Sequence, residues 1–203
     1  MTKDKKFWDK LAKSYNKLFE NDKSYRKMYA LMRENLNKNM KVLEIGTASG
    51  ITARAVSDKV KDVSAVDFSE KMIEKAKSIT EEKNISFAVM DAADLHYPDK
   101  SFDAVIIANV LHIVEKPENV LKEIKRVLKD DGMMIAPNFM WKETGFIGKI
   151  QKFIMIKRGF PVYSEWNSEE YTEFLRQNYF SCIKRETIKW NFNICYVECM
   201  KIN

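Results

Sequence analysis

The sequence predicts an α/β fold: a mostly parallel sheet with helices on both faces, extended by an antiparallel strand pair near the C-terminus. Three observations predict it. From residue 40 to about residue 137, short apolar runs alternate with helical patterns, as a parallel sheet and its crossover helices do. The runs are rich in Val and Ile and too apolar to have a wet face, as strands buried on both sides should be. Beyond residue 166 a capped helix is followed by two strand-like stretches joined by a turn-prone region.

The predicted core strands are Met40–Ile45, Val63–Val66, Ile85–Val89, Ala104–Ala108 and Met133–Ala136. Ser69 is placed to cap a helix whose apolar positions Met72, Ile73, Ala76 and Ile79 keep helical spacing, with Phe68 and Ile73 forming a staple. Pro117 opens a second helix, where its missing N–H costs nothing. Val120, Leu121, Ile124, Val127 and Leu128 form its buried stripe, and Gly132 is read as following its end. Residues 141–166 contain no obvious strand. Asn167–Asn178 reads as a helix with Glu170 three residues after the cap, and Ser181–Lys189 and Phe192–Met200 read as strands flanking Trp190 and Asn191.

The 203 residues suffice for one domain with a sizeable core, and 45% hydrophobic with 32% charged residues is an ordinary globular balance. No apolar run approaches the ~18 residues needed to span a bilayer, and the N-terminal stretch has no apolar segment of the signal-peptide kind. Cys182, Cys195 and Cys199 have no zinc-like spacing, and Cys195 and Cys199 read as core residues on one strand. A cytoplasmic protein is expected. Residues 1–40 hold 11 Lys and Arg against 5 Asp and Glu, a net +6, while the rest holds 24 of each. Such an excess suits an acidic substrate, a nucleic acid or an anionic membrane, or is a solvated helix face.

The stretch VLEIGTASGITARAV, residues 42–56, carries the chemistry. A buried strand ends in Glu44, and Gly46, Ala48 and Gly50 make a small-residue turn into a helix whose N-terminus offers N–H groups to an anion. Its spacing, E-x-G-x-A-x-G, departs from the G-x-G-x-x-G of dinucleotide sites. Asp67 ends the second strand 23 residues after Glu44, where a carboxylate can accept hydrogen bonds from ribose hydroxyls. Val89-Met90-Asp91 supplies apolar contact and another carboxylate at the third strand end. Three acids at successive carboxyl ends point into one crevice.

These segments, with FAVMDAADLHYPDKSFDAVIIANVLHIVEKPENVLKEIKRVLKDDG, resemble the class I S-adenosylmethionine-dependent methyltransferases, in the small-molecule group that includes the quinone-biosynthesis enzymes. The resemblance covers roughly residues 40–137 and implies a Rossmann-like fold with S-adenosylmethionine as cofactor. It implies that Glu44 faces the methionine amino group, that Gly46, Thr47, Ala48 and Gly50 form the cradle, and that Asp67 holds the ribose with Phe68 on the adenine face. Asp91 and Ala92 would approach the adenine amino group, Asn109 would lie beneath the methionine portion, and Tyr15, in the lid-like FWDKLAKSYNKLF, would close over the cofactor. Ala48 stands where the family usually has glycine. On this reading residues 1–203 form a single methyltransferase domain: lid helices over 1–39, cofactor core over 40–137, a variable cap over 138–166, and a helix with strands over 167–203.

A sulfonium methyl is already activated, so transfer depends mainly on alignment. His112 is the candidate general base where the acceptor must lose a proton; the plainer alternative is that it orients its loop. No His, Asp and Glu cluster suggests a metal. The expected partner is a small-molecule methyl acceptor rather than a nucleic acid, because Asn109-Val110-Leu111-His112 lacks the Pro-Pro-aromatic sequence of DNA amino methyltransferases. Phe146, Ile147, Ile150, Phe153 and Ile154 fall at helical spacing among Lys149, Lys152, Lys157 and Arg158. They make a lid that, with Phe7, Trp8 and Tyr15, encloses an apolar acceptor, a peripheral membrane helix, or an ordinary packing helix. An RNA methyltransferase and a non-catalytic S-adenosylmethionine binder are the competing functions, and a nicotinamide oxidoreductase ranks last.

Overall fold

The computed structural model describes residues 3–19 and 22–202. The chain begins with helices α1 (Lys3–Leu11), α2 (Tyr15–Phe19) and α3 (Lys23–Glu34). Asp22 caps α3 by accepting from the backbone N–H groups of Ser24 and Tyr25. There follow β1 (Lys41–Ile45), α4 (Ile51–Ser57), β2 (Asp62–Asp67), α5 (Glu70–Ile79), β3 (Ile85–Val89), β4 (Phe102–Ile107), α6 (Pro117–Val127) and β5 (Leu128–Ile135). The remaining elements are β6 (Asn138–Phe139), α7 (Phe146–Lys157), α8 (Ser168–Gln177), β7 (Phe180–Ile188) and β8 (Ile194–Lys201). Short 3-10 turns cover Leu111–Ile113 and Trp141–Glu143. Among the described residues no helix is long and apolar enough to cross a membrane.

One eight-stranded sheet has the order β3-β2-β1-β4-β5-β8-β6, with β7 also pairing β8. The pairs from β3 to β5 are parallel, and β8 runs antiparallel to β5, β6 and β7. Strand order reverses between β1 and β4, where Ile45 pairs with both Val66 and Ile107, so three carboxyl ends finish level. Successive residues alternate between faces. Val42, Val63, Ala104 and Ile106 join α3 and α4 in one core, whereas Leu43, Ile45, Val105 and Ile107 join α6 and α8 in the other.

Local signals account for most boundaries. Ser69 accepts from Met72 N–H at 3.2 Å to start α5, and Asn167 and Glu170 form a reciprocal capping box on α8. Two expectations are corrected. Gly132 does not end a helix: α6 stops at Val127 and Gly132 sits inside β5, in the irregular stretch where Leu128 pairs Phe102 and Met133 pairs Ala104. A Cβ there would lie 2.8 Å from Leu128 Cδ1 and 3.1 Å from Asp103 O, so close packing selects the glycine. β3 is not buried on both sides, because it is the sheet edge and Val89 is largely exposed. Cys195 and Cys199 lie buried on β8, and Cys182 Sγ is 2.9 Å from Cys199 Sγ across the strand pair.

Candidate functional site

A crevice of about 620 Å³ opens over the carboxyl ends of β1, β2 and β4, where the strand order reverses. It gathers Tyr15, Gly46, Ala48, Asp67, Phe68, Asp91, Ala92 and Asn109 from the sequence-predicted set. Met90 lines it beside Asp91, and Trp8, Ile113, Val114, Asn119 and Tyr163, which the sequence does not mark for the cofactor site, complete much of its wall. A smaller hollow of about 330 Å³ lies at the amino ends of β1, β2 and β3, the wrong end for a ligand in such a sheet.

The turn after β1 is held chiefly by the end of β2. Gly46 N–H and Thr47 N–H both donate to Val66 O, Ala48 N–H donates to Asp67 Oδ2 at 2.8 Å, and Gly50 N–H donates to Thr47 O at 2.8 Å. These four N–H groups are thus engaged within the fold, whereas the helix N-terminus expected to face an anion begins after them, at Ile51. Gly46 has φ +71° and Ala48 has φ +48°, both left-handed. A Cβ on Gly46 would overlap Val110 Cγ2.

Asp67 is buried, and its two carboxylate oxygens accept from Ala48 N–H and Ser69 N–H at 2.8 and 2.9 Å. It thus ties the β1 turn to the α5 cap. Each oxygen can accept a further hydrogen bond, and the residue lines the crevice. Burial pushes its carboxyl up to about 6, against the opposing pull of the Ser69 and Ala48 N–H groups. Asp91 lies exposed at the rim and accepts from Ala93 N–H at 2.8 Å. Asn109 holds a left-handed backbone, φ +56°, after β4. Its Nδ2 donates to Tyr25 Oη at 3.3 Å, whereas its Oδ1 is buried without a partner. An orphaned acceptor on a strained residue beside a cavity fits a ligand donor. Burial, with the Asp67 and Glu44 charges, holds the Tyr15 phenol well above its ordinary range.

Three predicted residues lie beneath the crevice rather than in its wall. Glu44 is buried and accepts from Thr47 Oγ1 at 2.5 Å, and burial pushes its carboxyl up to about 7. Thr47 and Gly50 shape the turn from behind. His112 is also outside the wall. It is fully buried, Nδ1 lies 2.8 Å from Asn138 Oδ1, and Phe139, Trp141 and Phe160 surround the ring. Burial lowers its pKa to about 4, so the imidazole is neutral at ordinary pH. Its Nε2 has no partner. Among the described residues no group of three or more His, Cys, Asp or Glu side chains could hold a metal.

A Rossmann-like sheet whose crevice at the reversal point is lined by Asp67 and Asp91 defines an α/β protein with its candidate ligand site at the carboxyl ends of the strands. Residues 43–136 match the family model described as a methyltransferase domain. The demethylmenaquinone methyltransferase of Staphylococcus epidermidis is 32% identical over 198 residues, covering 90% of this chain and 79% of that protein. A phosphatidylethanolamine N-methyltransferase of Cereibacter sphaeroides is 28% identical, covering 71% of this chain and 75% of its own. The methyltransferase solved in complex with the Haloferax volcanii Trm112 methyltransferase activator superposes with a TM-score of 0.84 at 20% identity, covering 98% of each chain. The chain belongs to the methyltransferase domain family and is an S-adenosylmethionine-dependent methyltransferase.

Proposed function

We propose that this enzyme methylates a small, apolar acceptor by direct displacement. When bound, S-adenosylmethionine supplies a methyl group on a sulfonium that is already activated, so the chain's task is to hold, orient and exclude water. Asp67 would hold the ribose hydroxyls, with Phe68 beside the adenine and Asp91 and Ala92 at its amino edge. Gly46 and Ala48 would shape the methionine end, and Asn109 Oδ1 would accept from the ammonium group. Tyr15 would close the crevice from α2. Glu44, Thr47 and Gly50 would brace the turn from below rather than touch the ligand. The observation that carries this reading is Asp67: a buried carboxylate, fixed by two backbone N–H groups, in the wall of the crevice.

His112 would keep its neutral imidazole near the acceptor side and serve as base only if the acceptor must lose a proton. An apolar acceptor is supported by the relatives, which by name act on demethylmenaquinone and phosphatidylethanolamine. RNA is disfavoured because cations of the basic N-terminal region pair internally: Lys5 with Glu70, Lys27 with Glu186 and Arg33 with Asp58. We place the reaction in the cytoplasm, with residues 1–203 as one domain, 1–39 as its lid and 138–166 as its cap.

Transfer of labelled methyl from S-adenosylmethionine to quinone, lipid and RNA fractions, alongside titration of S-adenosylhomocysteine and NAD, tests the reading. Label should enter an apolar fraction, and Asp67→Asn should weaken S-adenosylhomocysteine by ~10- to 100-fold, the loss of one or two charge-assisted hydrogen bonds. Label confined to RNA, or tighter binding of NAD, refutes it.

A further inference from the structure

We infer that α7 is a membrane-interface helix that lays its outer face on an anionic phospholipid surface. The helix is fastened to the body along one side. Gly148 is buried so tightly that a Cβ would lie 2.7 Å from Asn191 O. Lys152 turns inward to pair with Glu165 at 2.5 Å and lies over the Trp141 ring. The other side carries Phe146, Ile147, Ile150, Phe153 and Ile154, which are 44–79% exposed, while the exposed Ile156 lies at its border toward Lys152. Five neighbouring large apolar side chains on one outward face call for a covering partner.

Charge identifies the partner. Residues 145–160 contain no Asp or Glu, while Lys149, Lys157 and Arg158 stand exposed around the apolar face. Lys157 Nζ sits 5.5 Å from the Phe153 ring centroid, so cation and aromatic group share one edge. A second copy packed face to face would oppose these cations with no acid on the helix to neutralise them. Anionic headgroups neutralise them, and the acyl boundary takes the Phe and Ile side chains. Twelve residues give about 18 Å, too short to span a bilayer, so the helix lies in the surface plane. The chain leaving α7 reaches Phe160, which packs on His112, Trp141 and Trp8, and then Tyr163 in the crevice wall. The membrane surface is therefore beside the crevice, whichever acceptor that crevice takes.

Cosedimentation of the full chain with mixed phosphatidylcholine–phosphatidylglycerol vesicles and with pure phosphatidylcholine vesicles tests the inference. The mixed vesicles should bind it at least about tenfold better, and added salt should erode the difference. Phe146→Ser with Phe153→Ser, and separately Lys149→Glu with Lys157→Glu, should each weaken binding at least about tenfold. These side chains are exposed, so unchanged melting temperatures should accompany the loss. Equal binding to both vesicle types, no binding to either, or binding indifferent to the Phe substitutions overturns it. So does concentration-dependent dimerisation abolished by the Phe substitutions, which would assign the face to a second copy.

Discussion

Gly46→Ala tests whether the turn after β1 is set by close packing as well as by backbone conformation. Two penalties are expected. A Cβ at φ +71° costs about 1–2 kcal/mol in the left-handed region. The same Cβ overlaps Val110 Cγ2, and overpacking of this kind costs about 1–3 kcal/mol. The single variant should lose about 2–5 kcal/mol of unfolding free energy. Val110→Ala removes Cγ1 and Cγ2 and alone should cost about 1.5 kcal/mol for two buried carbons. With both substitutions the overlap disappears, since Val110 Cβ would be 3.5 Å from the new Cβ, an ordinary contact. Only the backbone penalty and the lost burial then remain. Urea unfolding of the four proteins should give a favourable coupling of about 1–3 kcal/mol. Ala48 already tolerates φ +48° two residues on, so conformation alone does not demand glycine. Additivity within about 0.5 kcal/mol would refute the packing explanation.

Two further outcomes concern pH. The folded pKa values of Asp67 and Glu44, about 6 and 7, are raised above 3.8 and 4.5. Both therefore favour the fold when protonated, and this stabilisation is lost as pH rises through about 6–7. Donors of a bound ribose need ionised Asp67, so affinity for S-adenosylhomocysteine should fall up to tenfold per pH unit below 6 in calorimetric titration. Unchanged affinity at pH 5 would remove Asp67 from the contact. His112 has the opposite sign: its folded pKa is lowered from 6.5 to about 4, so its stabilisation holds above 6.5 and is lost as pH falls toward 4. Relative to His112→Gln, the wild type should lose about 2 kcal/mol between pH 6.5 and 5; parallel urea-unfolding profiles would show that the ring takes up protons in the fold.

The sheet and the helix caps were legible because their signals are local. A buried Val- and Ile-rich run, Ser69 before an amphipathic stretch, and the Asn167–Glu170 pair each specify an element within a few residues. Gly132 misled because a glycine after a helical stripe reads alike whether it ends the helix or occupies an irregular strand pressed on Leu128. The two-residue β6 is too short to carry a period. Within the site, the acids at the strand ends were visible, but not which of them faces ligand. Glu44 turns to Thr47 beneath the loop, while Asp67 reaches the crevice wall. Tyr163 arrives from roughly a hundred residues away by tertiary packing, and no local pattern announces it. Periodicity likewise grouped Phe146, Ile150 and Phe153 on one face of α7 as a lid over the acceptor or as core packing. In the structure that face turns outward, while Phe7 and Trp8 pack on Phe160, an arrangement set by tertiary packing that periodicity does not specify.

The engaged N–H groups of the β1 turn also bear on what binding costs. Gly46, Thr47, Ala48 and Gly50 already hold acceptors within the fold, so the turn keeps its shape without a ligand. A ligand entering the crevice therefore meets a wall that needs no ordering at this point, and the entropy of fixing that stretch of backbone is lost during folding rather than during association.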